Sequence, residues 1–366
     1  MHNNSYHSSC TRLQPESPVP RDSPLATRHP PPAMSPSDDV TALARLAQAI
    51  QSLRAQVAAR VVGQKDAVDG MLTAVLSGGH ALLVGVPGLA KTLMVATLAE
   101  ALQLSFSRVQ FTPDLMPGDI TGTDVLEEDP ASGRRVFRFL RGPIFANVVL
   151  ADEINRTPPK TQAALLQAMQ EHRVTAGGTT YDLPAPFFVL ATQNPIEQEG
   201  TYPLPEAQLD RFMLELRIGY PSRAEEEAIV ERTTGAATAP VTPVLDAATI
   251  LEMQGLVRRI PVARSLISSA VKLARMTRPD DADAPAVVRE YVEWGAGPRA
   301  SQYLVLAAKA RAAMDGRPLA DLDDVAAAAQ SVLRHRVVAN FAAEADDRTS
   351  ADIVQEVLEG RAWISG

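Results

Sequence analysis

The feature that most constrains this 366-residue chain is a short loop between two apolar stretches. Residues 81–84 form an apolar run, residues 85–92 read Gly-Val-Pro-Gly-Leu-Ala-Lys-Thr, and residues 93–102 have a helical pattern. A strand, a glycine-bearing loop that ends in Lys-Thr, and a helix in this order form a cradle for phosphate groups. Because the loop amides and the helix N-terminus carry partial positive charge, the sequence predicts that nucleotide phosphates bind here.

The residues of this loop have distinct expected roles. Lys91 brings a full positive charge to the β- and γ-phosphate oxygens, and Thr92 offers its hydroxyl to Mg²⁺. Ala90 stands where the motif usually has glycine, which is acceptable if its φ is helical, because alanine is disfavoured mainly at positive φ. An ordinary strand–turn–helix would also fit this segment taken alone. The predicted nucleotide-binding residues of the loop are Gly85, Val86, Pro87, Gly88, Leu89, Ala90, Lys91 and Thr92.

Two carboxylates follow a second apolar run. Residues 147–151 read Asn-Val-Val-Leu-Ala and lead into Asp152 and Glu153. Buried parallel strands have this composition, and catalytic groups lie at their carboxyl ends. We expect Asp152 to hold Mg²⁺, partly through water, and Glu153 to orient and polarise the water that attacks the γ-phosphate. A surface Asp-Glu pair at a turn would explain these two residues alone, but it does not explain their pairing with the phosphate loop.

A third apolar run ends in a polar amide. Residues 187–192 precede Gln193, Asn194 and Pro195. Asn194 can donate a hydrogen bond to the γ-phosphate or to the attacking water. Asn-Pro also initiates turns without any chemistry, so Asn194 by itself leaves both interpretations open.

Composition limits the remaining possibilities. With 46% hydrophobic residues the chain can bury a large core, and its length favours two domains. A net charge of −8 argues against a surface that coats nucleic acid. A single cysteine, Cys10, cannot form an intramolecular disulfide, and no signal-peptide pattern or apolar run of transmembrane length is present. We therefore expect a cytoplasmic protein.

The pattern along the chain predicts three regions. Residues 1–38 are rich in Pro and Ser and are expected to be disordered. Residues 39–235 are expected to form an α/β nucleotide-binding core, and residues 236–366 an α-helical lid without clear strands. Hairpins are expected at about residues 120–142 and at 171–183, on either side of the second apolar run. Arginines in the first hairpin are expected to face either a central pore or a partner, or else solvent.

Three segments resemble the AAA+ ATPases and, among them, the MoxR family. They are the phosphate loop, including its alanine at 90, the segment Leu-Ala-Asp-Glu-Ile-Asn-Arg at residues 150–156, and the long segment 191–212, which ends in Leu-Asp-Arg-Phe. The last segment is the most specific, and the likeness spans roughly residues 40–340. It implies an α/β P-loop NTPase core with a parallel sheet, followed by a C-terminal all-α lid.

The resemblance also implies roles that the residues alone do not establish. Arg211 is implied to be an arginine finger donated to a neighbouring subunit, which requires a homo-oligomeric ring, most often a hexamer. Arg299 is implied to be the sensor 2 arginine, which contacts the γ-phosphate. Val62 and Gly63 are implied to lie against adenine, although a turn between helices explains them almost as well. Asp210–Arg211 taken locally would be an ordinary surface pair.

For function, the resemblance implies a Mg²⁺-dependent ATPase that acts as a remodelling chaperone in the maturation or activation of protein complexes, in some cases with metal insertion. The implied partners are a protein with a von Willebrand factor A domain and a protein client. Two alternatives remain: a nucleic-acid motor related to MCM-type helicases, and a nucleotide-gated scaffold with little hydrolysis. Against the motor, the second hairpin offers only His172 and Arg173 as basic residues and also holds Glu171 and Asp182.

Overall fold

The computed structural model describes residues 36–128, 134–196, 200–235 and 239–365. Residues 36–366 form one compact unit. The expected disorder of the N-terminal tail concerns residues that lie outside the described ranges, except that the first helix already begins at Pro36.

Eleven strands occur in the described ranges. They are β1 (Ala81–Val84), β2 (Phe106–Gln110), β3 (Gly122–Glu128), β4 (Arg135–Arg141), β5 (Val148–Asp152), β6 (Arg173–Ala176), β7 (Thr179–Asp182), β8 (Phe188–Gln193), β9 (Leu214–Arg217), β10 (Val292–Trp294) and β11 (Val338–Ala339).

Fourteen α-helices occur in the same ranges. They are α1 (Pro36–Arg60), α2 (Lys65–Ser77), α3 (Lys91–Ala101), α4 (Pro117–Thr121), α5 (Pro159–Glu171), α6 (Glu206–Leu209), α7 (Arg223–Thr233), α8 (Ala247–Arg259), α9 (Arg264–Met276), α10 (Ala286–Tyr291), α11 (Pro298–Met314), α12 (Leu322–Leu333), α13 (Phe341–Ala345) and α14 (Ser350–Glu359). A single 3₁₀ turn spans Ile154–Arg156.

Five parallel strands form the central sheet in the order β2-β5-β8-β1-β9. This order confirms the predicted α/β class with a parallel sheet. The three apolar runs predicted as strands become β1, β5 and β8, which are neighbours at the centre of the sheet. Their carboxyl ends therefore meet at one edge, which brings the phosphate loop beside the polar residues that follow β5 and β8.

The two faces of the sheet are covered by different apolar clusters. Alternate residues of each central strand face opposite sides, as Leu82 and Leu83 do on β1. One cluster contains Leu83, helices α1 to α3 and the buried faces of the C-terminal helices, whereas the other contains Leu82 and helix α5. Because α11 packs against α1, α2 and α8, the lid continues the core on one side of the sheet.

The C-terminal region is helical, as predicted, with one exception. The antiparallel pair β10–β11 lies where only helices were expected, so that detail of the prediction was wrong. Its strands have three and two residues, too few to leave an alternating pattern in the sequence. Four lid helices, α8, α12, α13 and α14, begin at polar side-chain caps, and Asp321 before α12 and Thr349 before α14 each form a capping box.

Both predicted hairpins are present. Strands β3 and β4 pair antiparallel, as do β6 and β7. The two hairpins are joined by stacking of Phe139 on Tyr181, with ring centroids 4.4 Å apart. Phe137, on β4, is 77% exposed, and Arg138 on the same strand pairs with Glu127 at 3.3 Å. No helix in the described ranges is long and apolar enough to cross a membrane.

A buried histidine ties the start of β1 to two other elements. His80 is 6% exposed; its Nδ1 accepts from the backbone N–H of Val189 at 3.0 Å, so Nε2 carries the proton and donates to the carbonyl of Met169 at 3.1 Å. Burial is the main reason that the pKa of His80 falls to about 4, and the nearby His172 lowers it further. The fold therefore binds His80 in its neutral form.

This histidine predicts a loss of stability in acid. The folded-state pKa lies below the unfolded value, so the unfolded chain takes up the proton first as the pH falls from about 6.5 to 4. Over that window His80 should cost about 3 kcal/mol of unfolding free energy. In His80→Asn the amide oxygen replaces Nδ1 as acceptor without titrating, so unfolding free energy measured by urea denaturation should depend less steeply on pH.

The exposed His172 provides a matched control. Its φ is +52°, a conformation that asparagine tolerates, so His172→Asn should fold without added strain. It should retain most of the wild-type pH dependence. Equal slopes for His80→Asn and wild type between pH 6.5 and 4 would contradict the assignment.

Candidate nucleotide site

A cavity of about 420 Å³ opens at the carboxyl ends of β1, β5 and β8. Helix α3 begins beneath it, so the helix N-terminus faces the same space. The structure brings together the predicted loop, the two carboxylates and the amide, and it adds three residues that were not predicted, Leu93, Arg108 and Thr192. The lining residues are Pro87, Gly88, Leu89, Ala90, Lys91, Thr92, Leu93, Arg108, Asp152, Glu153, Thr192 and Asn194.

Backbone carbonyls at the start of the loop hold the lysine. The Nζ of Lys91 donates to the carbonyls of Gly85 and Val86, at 3.0 Å in the second case. Gly85 is required by close packing, because a Cβ there would lie 2.6 Å from the carbonyl oxygen of Ile218. The first two loop residues thus position Lys91, while the rest of the loop lines the cavity.

Ala90 does not meet the condition under which alanine is easily accepted at this position. Its φ is +54° and its ψ +24°, so it lies in the left-handed region rather than the helical one. It is the N-cap of α3, and its carbonyl accepts the amide of Met94 at 2.9 Å. The turn from the loop into the helix therefore imposes the conformation that favours glycine, at a cost of about 1–2 kcal/mol for alanine.

The carboxylate of Asp152 is bound on both oxygens. The hydroxyl of Thr192 donates to Oδ1 at 2.6 Å, and Arg108 donates to Oδ2 through Nη2 at 2.6 Å and Nε at 3.0 Å. Arg108 projects from β2 and Thr192 from β8, the two strands that flank β5. Arg108 was missed because its sequence position, 44 residues before Asp152, gives no sign of the contact.

Glu153 is held beside it by three contacts. Its backbone N–H donates to the hydroxyl of Thr192 at 2.8 Å, so one hydroxyl contacts both acidic residues. Its carboxylate accepts from Gln110 at 2.9 Å and pairs with Arg156 at 3.1 Å. The φ of Glu153 is +57°, a strained conformation of the kind found at functional sites.

Asn194 offers an unused donor. The residue is 3% exposed, and its Oδ1 accepts from the backbone N–H of Ile196 at 3.3 Å. Its Nδ2 is buried and has no hydrogen-bond partner among the described residues. A buried donor without a partner is uncommon, and here it belongs to a residue that lines the phosphate cavity. The geometry therefore favours the ligand-binding interpretation over a simple Asn-Pro turn.

The two residues expected near adenine are placed differently. Val62 lines a small cavity of about 130 Å³ that also includes Leu89 and Ala90 of the loop. Gly63 is not among its described lining residues, whereas Gln64 is. Gly63 has a φ of +72°, and a Cβ there would lie 2.5 Å from Oε1 of Glu225. Glycine is thus needed at this turn for backbone reasons.

The two predicted arginines lie together, but not at the phosphate cavity. Arg211 and Arg299 line a separate cavity of about 400 Å³ whose other lining residues include His80, His172 and Tyr303. Arg299 pairs with Asp210 at 2.8 Å, but the guanidinium of Arg211 has no hydrogen bond or ion pair with any described residue. Burial, and then the charge of Arg299, lower the pKa of Arg211.

Comparison with known proteins follows this geometry. Residues 80–214 match the model of the ATPase family associated with various cellular activities (AAA), and residues 284–357 match that of the AAA lid domain. The protein named Chaperone MoxR1 from Mycobacterium tuberculosis (strain ATCC 25618 / H37Rv) is 44% identical over 82% of this chain and 78% of its own length. This chain belongs to the MoxR family of AAA ATPases.

Other relatives agree with this assignment. Protein MoxR of Methylorubrum extorquens is 31% identical over 77% of this chain and 85% of its own length. A crystal structure of a protein from Cytophaga hutchinsonii, classed as a candidate ATPase, superimposes with a TM-score of 0.82 at 38% identity and covers 88% of this chain and 97% of that one. The fold predicted from the sequence, a AAA core followed by a helical lid, is therefore confirmed.

The residues of this MoxR-family site fit a nucleoside triphosphate with Mg²⁺. The cavity offers the Lys91 ammonium, the N-terminus of α3 and the free Nδ2 of Asn194 to phosphate oxygens. The Thr92 hydroxyl and the Asp152 carboxylate are the oxygen ligands that Mg²⁺ prefers. Bound Mg²⁺ would neutralise charge on the phosphates, and Asp152 would have to exchange its contact with Arg108 for the ion.

The strain at Ala90 leads to a stability prediction. Ala90→Gly relieves the left-handed conformation but makes the unfolded chain more flexible, so we expect a net gain of up to about 1 kcal/mol in unfolding free energy. Nucleotide affinity should be retained. As a control, Ala44→Gly at an exposed position of α1 should lose about 1 kcal/mol. If urea denaturation shows Ala90→Gly to be as harmful as Ala44→Gly, the strain is not real.

The ion pair at Asp152 leads to a metal-binding prediction. In Arg108→Ala, Mg²⁺ no longer competes with a guanidinium, so the Mg²⁺ concentration that half-saturates binding of a fluorescent ATP analogue should fall about two- to fivefold. Arg138→Ala, which removes a hairpin ion pair outside the cavity lining, should leave that concentration unchanged. A higher Mg²⁺ requirement in Arg108→Ala would show instead that Arg108 supports the phosphates.

Proposed function

We propose that this protein is a Mg²⁺-dependent ATPase that works as a homo-oligomeric ring, a hexamer by family resemblance, in which neighbouring subunits share each site. We further propose that the ring remodels a protein client during maturation or activation of a complex. In this proposal residues 39–235 form the nucleotide-binding core and residues 236–366 form the lid.

One observation carries the shared site. The phosphate cavity contains the lysine, the two acids and the amide, but neither Arg211 nor Arg299 lines it. Those two arginines line a different cavity of the same protomer, and Arg211 has no partner among the described residues. A half-buried guanidinium without a counter-ion costs free energy. The arrangement therefore indicates that another molecule supplies the negative charge. The γ-phosphate held by the next subunit matches it in charge.

The proposed roles of the residues are supported by their positions. Lys91 and Asn194 bind γ-phosphate oxygens, and Asp152 with Thr92 takes the metal. Glu153 accepts a hydrogen bond from the attacking water and polarises it, once its contacts with Gln110 and Arg156 are exchanged. Arg211 of the adjacent subunit neutralises the charge that develops on the γ-phosphate. Arg299, which lines the same cavity as Arg211, contacts the same phosphate.

A protein client is favoured over nucleic acid. In the β6–β7 hairpin Arg173 already pairs with Glu171 at 3.4 Å, and Asp182 lies directly opposite Arg173 in the register. This surface offers little free positive charge for a phosphate backbone. The relative from M. tuberculosis is named a chaperone, which supports the same choice. A von Willebrand factor A domain partner and metal insertion into the client remain proposals that rest on family resemblance.

Steady-state ATP hydrolysis across a protein concentration series tests the shared site. Wild-type turnover per subunit should rise with concentration as the ring assembles, and it should fall at least a hundredfold in both Glu153→Gln and Arg211→Ala. Fluorescent nucleotide should bind both variants as it binds wild type, whereas Lys91→Ala should bind it weakly. Concentration-independent turnover that survives in Arg211→Ala would exclude the ring model.

The same variants test the choice of client. Glu153→Gln is expected to hold ATP without cleaving it, so it should retain a protein client that Lys91→Ala does not. Filter binding with duplex and single-stranded DNA provides the competing outcome, and tight binding with a steep salt dependence would favour the nucleic-acid motor. ATP binding without turnover in wild type would favour the nucleotide-gated scaffold.

A further inference from the structure

A buried arginine of the lid grips the segment that carries Arg211. Arg336 follows α12, and its side chain is 2% exposed. It reaches across to residues 210–213, which connect α6 to β9 in the core. No role for Arg336 follows from the phosphate loop or from the acidic strand.

The contacts of Arg336 satisfy its whole guanidinium. Nε donates to Oδ1 of Asp210 at 2.8 Å, and Nη2 donates to the backbone carbonyls of Asp210 and Phe212 at 3.0 and 2.6 Å. Nη1 donates to the carbonyl of Met213 at 3.3 Å and to that of Val332 on α12. The guanidinium also lies over the ring of Tyr303, 5.1 Å from its centroid.

These contacts bracket the finger residue. The carbonyls of Asp210 and Phe212 stand immediately before and after Arg211, and both accept from the same Nη2. The neighbouring lid residue His335 also hydrogen-bonds the Phe212 carbonyl, at 3.0 Å. Because the side chain of Arg211 has no partner of its own among the described residues, its direction depends on how firmly this backbone is held.

The carboxylate of Asp210 serves two lid arginines at once. Arg336 takes Oδ1 and Arg299 takes Oδ2, each at 2.8 Å. Asp210 is therefore committed to the lid, which leaves its sequence neighbour Arg211 without it. The lid thereby holds the backbone of the finger and also keeps the local counter-ion away from the finger.

We propose that Arg336 is a positioning residue that couples the lid to the arginine finger: it sets the direction of Arg211 and so controls hydrolysis in the neighbouring subunit, not in its own. This inference rests on the shared site proposed above. A lid movement that loosens the contacts of Arg336 with Asp210 and Phe212 would withdraw Arg211 and stop ATP hydrolysis in the neighbouring subunit.

The first test separates binding from catalysis. Arg336→Met keeps the apolar reach of the side chain and removes its donors. Nucleotide affinity should stay within twofold of wild type, because Arg336 does not line the phosphate cavity, whereas kcat should fall at least tenfold with little change in KM. Arg336→Lys should recover part of kcat, since a lysine can still reach one or two of the carbonyls. Wild-type kcat in Arg336→Met would overturn the proposal.

Arg317→Met is the matched control. Arg317 is also a lid arginine with several carboxylate partners, Asp315, Asp321 and Asp324, all of which belong to the lid. Its loss should lower lid stability without a specific loss of kcat. If Arg317→Met and Arg336→Met reduce kcat equally, the effect of Arg336 is a general one and the proposal is wrong.

The second test uses mixed rings to identify the affected subunit. Subunits of Arg336→Met retain their own Glu153, so equimolar mixing with Glu153→Gln subunits, which keep an intact finger, should restore turnover at about a quarter of the interfaces. Mixing Arg336→Met with Arg211→Ala should restore none, because neither partner supplies a working finger. Rescue by both partners, or by neither, would overturn the proposal.

One further combination and one replacement variant make these outcomes decisive. Glu153→Gln mixed with Arg211→Ala must recover turnover; if it does not, the shared site itself is wrong, and that failure is distinct from a failure of Arg336 alone. If Arg336→Met is insoluble, Asp210→Asn replaces it, since this variant weakens the same grip from the core side. It should show the same rescue by Glu153→Gln and the same lack of rescue by Arg211→Ala.

Discussion

The parallel register of β5 with its two neighbours is the constraint on which the nucleotide site depends. Gln110 of β2 lies beside Asp152 in that register, and Thr192 of β8 lies one position beyond Ala191, the partner of Ala151. One hydroxyl can therefore reach both Asp152 and Glu153, while β2 supplies the opposing groups from the other side. A one-residue slip would send each of these side chains to the opposite face of the sheet.

The way the lid packs on this sheet supports the proposed division of the site between subunits. The lid packs on the face that carries α1 and α2, and it reaches the core again at residues 210–213. The buried side chain of Arg336 connects the lid directly to that segment. The phosphate cavity, in contrast, lies at the carboxyl ends of the strands. The lid thus contacts the segment that would carry the finger, whereas no described lid residue lines the phosphate cavity.

The sequence predicted the elements better than it predicted the contacts between them. Long apolar runs and caps determine strands and helices locally, so β1, β5 and β8 lie where the pattern placed them and the C-terminal region is mainly helical, as the pattern predicted. The sequence did not reveal the left-handed φ of Ala90, because the path from loop to helix overrides the preference of the residue. Arg108 lies 44 positions from its partner Asp152, and Arg336 lies 126 positions from its partner Asp210. No local sequence pattern indicates contacts over such separations.

Charge at the site is balanced before any ligand arrives. Asp152 is paired with Arg108, and Glu153 with Arg156. The negative charge of both carboxylates in the phosphate cavity is therefore partly neutralised before phosphate binds. Without these cations, and in the absence of a divalent ion that replaces them, the repulsion would oppose binding most strongly in the low-dielectric cavity. The pairs are partly exposed and therefore weak, which lets a divalent ion and a water replace the arginines. Asp210 differs, because its partner Arg336 is buried and fully hydrogen-bonded, as a contact must be if it is to transmit a lid movement rather than exchange with solvent.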